Sequence, residues 1–353
     1  MYYKKVLYIF FLILALNLSF FSTNKVNAKA FLIDEIEISE KLENNFNKDI
    51  LINKGFKKAF KELMGKLVQS KDLKKTKDIN INEIKSMIET FSIKEEKFIK
   101  KTYHLNLGVS FNKKKIFKYL DTKNIFPAQI IEEKFLFIPI IIDQSNIDLL
   151  VFSNNPIHKN WKDENKKDYL IEYILPTEDL EDLNLIKNNY LELENYDFAE
   201  IIKKYFLDNS IIALFFKDGN QIKVLSKINI REKKVIKSNS FKNIDLNNDD
   251  NLNELIGSLK IIYEDFWKDY NLINTSIKLP LTVQVNNQDL NLSSTFEKTL
   301  DEIDLISNYF INRFNQDFVY YEIIFNGTPQ NFINIMSEKN YTFDTQKKIW
   351  ILK

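Results

Sequence analysis

The chain has 353 residues, 44% of them hydrophobic and 14% aromatic, which is enough apolar material for two or three compact units and excludes global disorder. Lysine and arginine number 50 against 49 acidic residues, and only Arg231 and Arg313 are arginines, so the chain lacks both the overall field and the planar guanidinium forks of a nucleic-acid reader. Cysteine is absent, which removes disulfides, thiolate nucleophiles, iron–sulfur clusters and cysteine zinc sites, together with the acylated cysteine of a lipoprotein.

Lys4 and Lys5 precede an apolar run from Val6 to Phe21, broken only by Asn17 and Ser19, and a polar stretch then leads to Val26-Asn27-Ala28-Lys29-Ala30. A charged start, an apolar middle and a small-residue end in this order predict an export signal over residues 1–28, cut after Ala28, with Ala30 the alternative. The 16 residues of the run are short of the ~20 that a bilayer span needs. The expected location is the periplasm, with a single-span inner-membrane anchor as the alternative if the signal is kept.

The following stretch, 31–134, predicts a small α+β unit in the order strand, helix, helix, strand, helix. Phe31 to Ile38 is a short half-apolar strand; Ile52, Phe56, Ala59, Phe60, Leu63, Met64 and Leu67 recur at helical spacing and form one stripe. Lys54, Lys57, Lys58, Lys61 and Lys66 lie on the other face of that helix and read as solvated surface, with a basic docking face as the rarer alternative. Ile84, Met87, Ile88 and Phe91 suggest a second helix. From Tyr103 to Phe111 apolar and polar residues alternate as in a strand with one buried face, and Asn112 is placed to cap a helix through Leu120.

Residues 135–272 predict an α/β unit. Phe135 to Ile142 is a continuous apolar run that suits a central strand covered on both faces, ending at Asp143. Strands are expected at Asp148 to Phe152, Tyr169 to Leu175, Ile211 to Phe216, Gln221 to Ile230 and Lys234 to Phe241, with a loop through Asn155, Pro156 and Trp161 and a turn at Asp218-Gly219-Asn220. Helices are expected from Thr177, from Phe198 to Leu207, and from Leu252 to Tyr270. The last stretch, 279–353, reads βαββαβ, the split βαβ or ferredoxin-like order, with Thr328 capping a helix that has Pro329 in its first turn.

Chemistry-bearing patterns are sparse. The two histidines, His104 and His158, have no metal-ligand spacing, and no glycine-rich phosphate loop or nucleophile elbow occurs. No cofactor and no metal are therefore expected. Glu178, Asp179, Glu181 and Asp182 form an acidic cluster at the start of a helix, where negative charge answers unpaired N–H groups, and Asp143 sits at the end of its strand, where α/β sheets often place functional groups. Asp143, Asp179 and Asp182 are the only catalytic candidates, as the carboxylates of a hydrolase. Asn326-Gly327-Thr328-Pro329 leads into a helix start that can receive an anion, though a plain turn and cap is the preferred reading.

The order of pieces resembles the bacterial exported proteins grouped as domain of unknown function 2066. The resemblance rests on the helix with Phe56, Ala59 and Leu63, the strand and helix from Tyr103 to Leu120, and the Phe135 to Ile142 strand with its internal proline. Asn155-Pro156 with Trp161, Leu175-Pro176 with Asp179-Leu180 and Asp182, and Trp267 complete it. It implies a Gram-negative envelope protein and carries no catalytic residues. The expectation is a periplasmic accessory or scaffold protein, not an enzyme, that binds another envelope protein through sheet edges or apolar patches. The rivals are a carboxylate-dependent envelope hydrolase and a small-ligand-binding module.

Overall fold

The computed structural model describes residues 31–353 apart from 44–45, 147, 162–168, 232 and 289. The export signal expected over 1–28 lies outside the described residues. Among the described residues ten α-helices and three sheets give the mixed α+β and α/β architecture that the pattern predicts.

The first sheet contains β1 (Leu32–Lys41), β2 (Ile88–Ile99) and β3 (Thr102–Phe111) in the order β1-β3-β2, both neighbours running antiparallel to β3. Leu105, Leu107, Val109 and Phe111 of β3 point to the buried face, as the alternation requires. Against it packs α1 (Lys48–Leu67), whose buried stripe runs from Leu51 through Phe56, Ala59, Phe60, Leu63 and Met64 to Leu67. Asn47 caps α1 by accepting from the N–H groups of Asp49 and Ile50. A short α2 (Ser70–Leu73), α3 (Ile81–Met87) and α4 (Lys113–Thr122) complete this layer, and Asn112 caps α4 through Lys115 N–H at 3.1 Å.

One expectation fails here. Phe91 lies on β2, a strand that the spacing of Ile84, Met87, Ile88 and Phe91 had assigned to the second helix. The helix ends at Met87, and β2 turns into β3 through Lys100 and Lys101, both left-handed at φ 49° and 61°. That is the dihedral requirement of a tight primed turn, met without the glycine or asparagine that normally announces it.

The second sheet has β4 (Glu133–Asp143) at its centre, with β7 (Asn209–Asp218), β8 (Gln221–Ile230) and β9 (Lys233–Lys242) to one side. On the other side β6 (Ile171–Ile174) pairs with Glu133 to Leu136, and β5 (Asp148–Leu150) pairs with Ile141 to Asp143. Successive β4 residues feed two separate cores, as the unbroken apolar run predicts: Phe135, Phe137 and Ile141 on one face, Leu136, Ile138, Ile140 and Ile142 on the other. The first face is covered by α8 (Asp249–Tyr270), the second by α6 (Leu180–Asn188) and α7 (Ala199–Lys203).

Proline in a central strand ordinarily breaks a ladder, yet Pro139 sits in the middle of β4. Its backbone edge faces the gap between β6 and β5, where no strand pairs. There the buried Asn155 fills in, donating from Nδ2 to Pro139 O at 3.0 Å and Leu150 O at 3.3 Å. Its Oδ1 accepts from Ile157 N–H and His158 N–H, capping α5 (Pro156–Asn160), a helical turn where the sequence suggests only a loop. Asn155→Ala removes a cap and leaves two carbonyls without their donor. The expected loss is about 2–4 kcal/mol, read as a lower urea midpoint with an unchanged slope.

The third sheet has the order β11-β12-β10-β14-β13. Its elements are β10 (Leu279–Asn286), α9 (Leu290–Glu302), β11 (Ile306–Phe314), β12 (Phe318–Phe325), α10 (Pro329–Glu338), β13 (Phe343–Asp344) and β14 (Ile349–Leu352). The βαββα course agrees with the split βαβ expectation, and its end adds a strand. A helical crossover from β12 delivers β13 to the outer edge, and a hairpin then brings β14 between β13 and β10, parallel to β10. The first and third sheets share one hydrophobic core, in which Leu107, Phe111 and Ile116 belong to the same cluster as Val283, Phe296 and Tyr321.

Candidate interaction surfaces

Of the three carboxylates that the sequence offers for catalysis, Asp143 stands apart from Asp179 and Asp182. Asp143 is 5% exposed and every acceptor direction is used: Lys217 Nζ lies at 2.7 Å, Ser145 N–H and Asn146 N–H each at 3.1 Å, and Asn146 Nδ2 at 3.0 Å. The Lys217 ammonium, from the register neighbour on β7, holds the carboxyl below its ordinary range, with Asn146 adding to the effect. This is a turn staple at the end of β4.

Asp179 and Asp182 meet at a different place. Asp179 caps α6 by accepting from Glu181 N–H at 2.7 Å and Asp182 N–H at 3.2 Å, and those backbone bonds depress its pKa. Thr177, the expected helix start, lies before the cap, with its N–H bonded to Tyr205 Oη at 2.9 Å. Lys204 at the end of α7 answers the cluster, at 2.7 Å from the buried Asp182, 3.0 Å from Glu181 and 3.7 Å from Asp179. Asp179, its carboxyl held down by two helix N–H groups and Lys204, is a poor general acid, and Asp143 shares no hydrogen-bond partner with this group.

His104, on β3 opposite Ser39 and Lys97, and His158, bonded through Nε2 to Pro176 O at 2.9 Å, are not brought together. Among the described residues no group of three or more histidines and carboxylates has the geometry of a metal site. The Asn326 to Pro329 segment is the expected turn and cap, Thr328 Oγ1 accepting from Asn331 N–H at 3.3 Å.

Sheet edges give a clearer signal. β2 is an outer strand of 12 residues, and all but Ile88 are exposed. Phe91, Ile93, Phe98 and Ile99 are between 40% and 62% exposed, more large apolar side chains than any other outer strand displays. Edge strands are usually guarded by inward or free lysines. Here Lys94 is paired with Asp34, and Lys97 with Glu95, so both charges are neutralised within the sheet. Phe56 supports Phe91 edge-on at 5.1 Å between ring centroids, which fixes one of the exposed rings. The outer strand β11 carries Phe310, Ile311 and Phe314, and β9 carries Ile236. Sequence reasoning missed β2; four apolar residues spread through a charged run, with strand spacing between Phe91 and Ile93, were the available signal.

No known protein-family profile matches the chain, and no curated protein resembles it in sequence. Among the described residues no helix is long and apolar enough to cross a membrane.

Proposed function

We propose that this chain is an exported accessory or scaffold protein of a bacterial cell envelope, working in the periplasm by holding another envelope protein along the free edge of β2. The observation that carries this reading is the 12-residue outer strand with four exposed apolar side chains. A partner strand laid along it gains main-chain hydrogen bonds from the unpaired N–H and C=O groups, and the alternate side chains supply specificity. The order of charged start, apolar run and Ala28 supports export and with it the envelope setting.

The test is site-specific photo-cross-linking in intact cells. A photoreactive residue replacing Ile93 or Phe98 is expected to give one discrete adduct with an envelope protein, and the same residue replacing Ile236 on β9 is expected to give none. Absence of an adduct from β2, or the same adduct from both edges, overturns the assignment. Recovery of the protein in the cytosol with Met1 intact overturns the export reading separately.

A further inference from the structure

The near-neutral total hides a segregation of charge. Residues 48–77, comprising α1, α2 and the turn after them, hold ten lysines against Asp49, Glu62 and Asp72, a net of +7. Residues 177–208, comprising α6, α7 and the chain between them, hold nine acids against Lys187, Lys203 and Lys204, a net of −6. The whole chain is +1, so everything else sums to zero.

Both segments are helical layers with one face turned to solvent. On the basic one, Lys57, Lys61, Lys71, Lys74 and Lys77 are exposed, while Lys48, Lys54 and Lys66 are tied to Glu96, Glu40 and Glu132. On the acidic one, Glu178, Glu192, Glu194 and Glu200 are exposed. The acidic layer also displays Leu180 at 76% and Phe206 at 95% exposure. The Lys204 ion pairs to Asp179 and Glu181, and the Tyr205 bond to Thr177, bring the end of α7, just before Phe206, to the start of α6, where Leu180 lies. Phe206 has φ 52°, a conformation that a bulky residue seldom takes, and its ring stands in solvent.

We propose that this acidic face, with Leu180 and Phe206 as its apolar anchors, receives the lysine face of α1 and α2 from a second copy of the chain. Opposite charges of this size steer the encounter, and a few desolvated apolar side chains hold it. The two faces are different surfaces of the same molecule, so the contact is heterologous and builds a head-to-tail ring or filament. It uses neither β2 nor its partner, and it stands or falls independently of the reading above.

Sedimentation velocity on the mature chain tests it. Association is expected at low ionic strength, with loss when salt shortens the Debye length to roughly 3 Å near 1 M. Reversing the acidic face (Glu178→Lys with Glu200→Lys) and reversing the basic face (Lys57→Glu with Lys61→Glu) should each abolish it. Mixing the two reversed proteins should restore association, which a folding defect does not do. Phe206→Ser should weaken it by about tenfold or more, as loss of an anchor does. A native chain that stays monomeric at low salt overturns the proposal. So does association that survives both reversals. A monomer that binds a synthetic lysine–leucine amphipathic peptide through Leu180 and Phe206, and not the glutamate–leucine counterpart, also overturns it and gives the face to a basic partner.

Discussion

Replacing Lys268 with alanine is expected to lower stability by about 2–4 kcal/mol, because it leaves two carbonyls without the charged donor that satisfies them. Lys268 is 5% exposed and lies on α8, on the same side as the buried Glu264 one turn earlier. Its ammonium donates to Gly65 O and, at 3.2 Å, to Val68 O, the carbonyls that α1 leaves unpaired at its C-terminus. Glu264 Oε1 in turn accepts from Leu170 N–H at 3.0 Å and Ile171 N–H at 2.8 Å. The pair therefore ties the end of the first helical layer to the long helix of the second sheet and to the entry of β6. Alanine leaves two carbonyls without a donor and Glu264 without its counter-charge. Lys268→Met keeps the apolar stem, so the difference between the two variants in denaturant titrations separates packing from charge.

Burial sets the pH dependence of this pair. Desolvation raises Glu264 above its ordinary 4.5, so just above that pH the folded chain keeps a proton that the unfolded chain has released, and this group's contribution to stability falls as pH rises through the window. Desolvation lowers Lys268 below its ordinary 10.5, so below that value the unfolded chain holds a proton that the folded one has lost, and this contribution rises with pH there. Glu264→Gln keeps an acceptor for the two N–H groups and is expected to flatten the mildly acidic decline. An unchanged stability profile contradicts the assignment.

Trp161→Ala is expected to cost about 3–5 kcal/mol, the upper range for losing a large buried ring. The indole is 1% exposed, stacked on Phe137 at 3.9 Å between centroids, with Tyr173 edge-on at 5.3 Å and Tyr263 tilted at 6.3 Å. It joins α5, β4, β6 and α8 in one aromatic cluster, so the vacated space has walls on four elements and cannot close by moving one. Trp161→Phe should recover part of the loss. A thermal midpoint for the alanine variant within a degree or two of the native one would show that the cluster can repack.

Much of this fold was legible in the sequence because burial writes itself as period. The α1 stripe, the β3 alternation, the two-faced run of β4 and the α8 periodicity all follow from which faces meet a core. β2 left only a faint trace, the Phe91 and Ile93 spacing, for the same reason. It is exposed on nearly every residue, so no face imposes a pattern, and its turn uses Lys100 and Lys101 in place of glycine. The helical cap fell at Asp179 and not at Thr177 because an Asp two residues later in the segment can reach two N–H groups at once. The candidate carboxylates were correctly located along the chain, but what each one faces depends on Lys217 and Lys204, which lie 74 and 22 positions from their closest partners. The strand β14 beside β10 is a tertiary choice that local sequence does not encode.

The core that the first and third sheets share bears on the order in which the protein is made. A chain emerging N-terminus first completes α4 early, but the core of its unit also takes in apolar residues from Ile273 to Leu352, which are made much later. Between them the whole second sheet must be synthesised, and it has two cores of its own to close in the meantime. In that interval α1 covers the first sheet, while the part of the unit's surface that joins the third unit stays open to a holding chaperone until that segment is made. Lys113, bonded to Ile303 O at 2.7 Å, and Lys114, bonded to Asn308 at 3.0 Å, are the contacts that close the circuit when the final segment comes back.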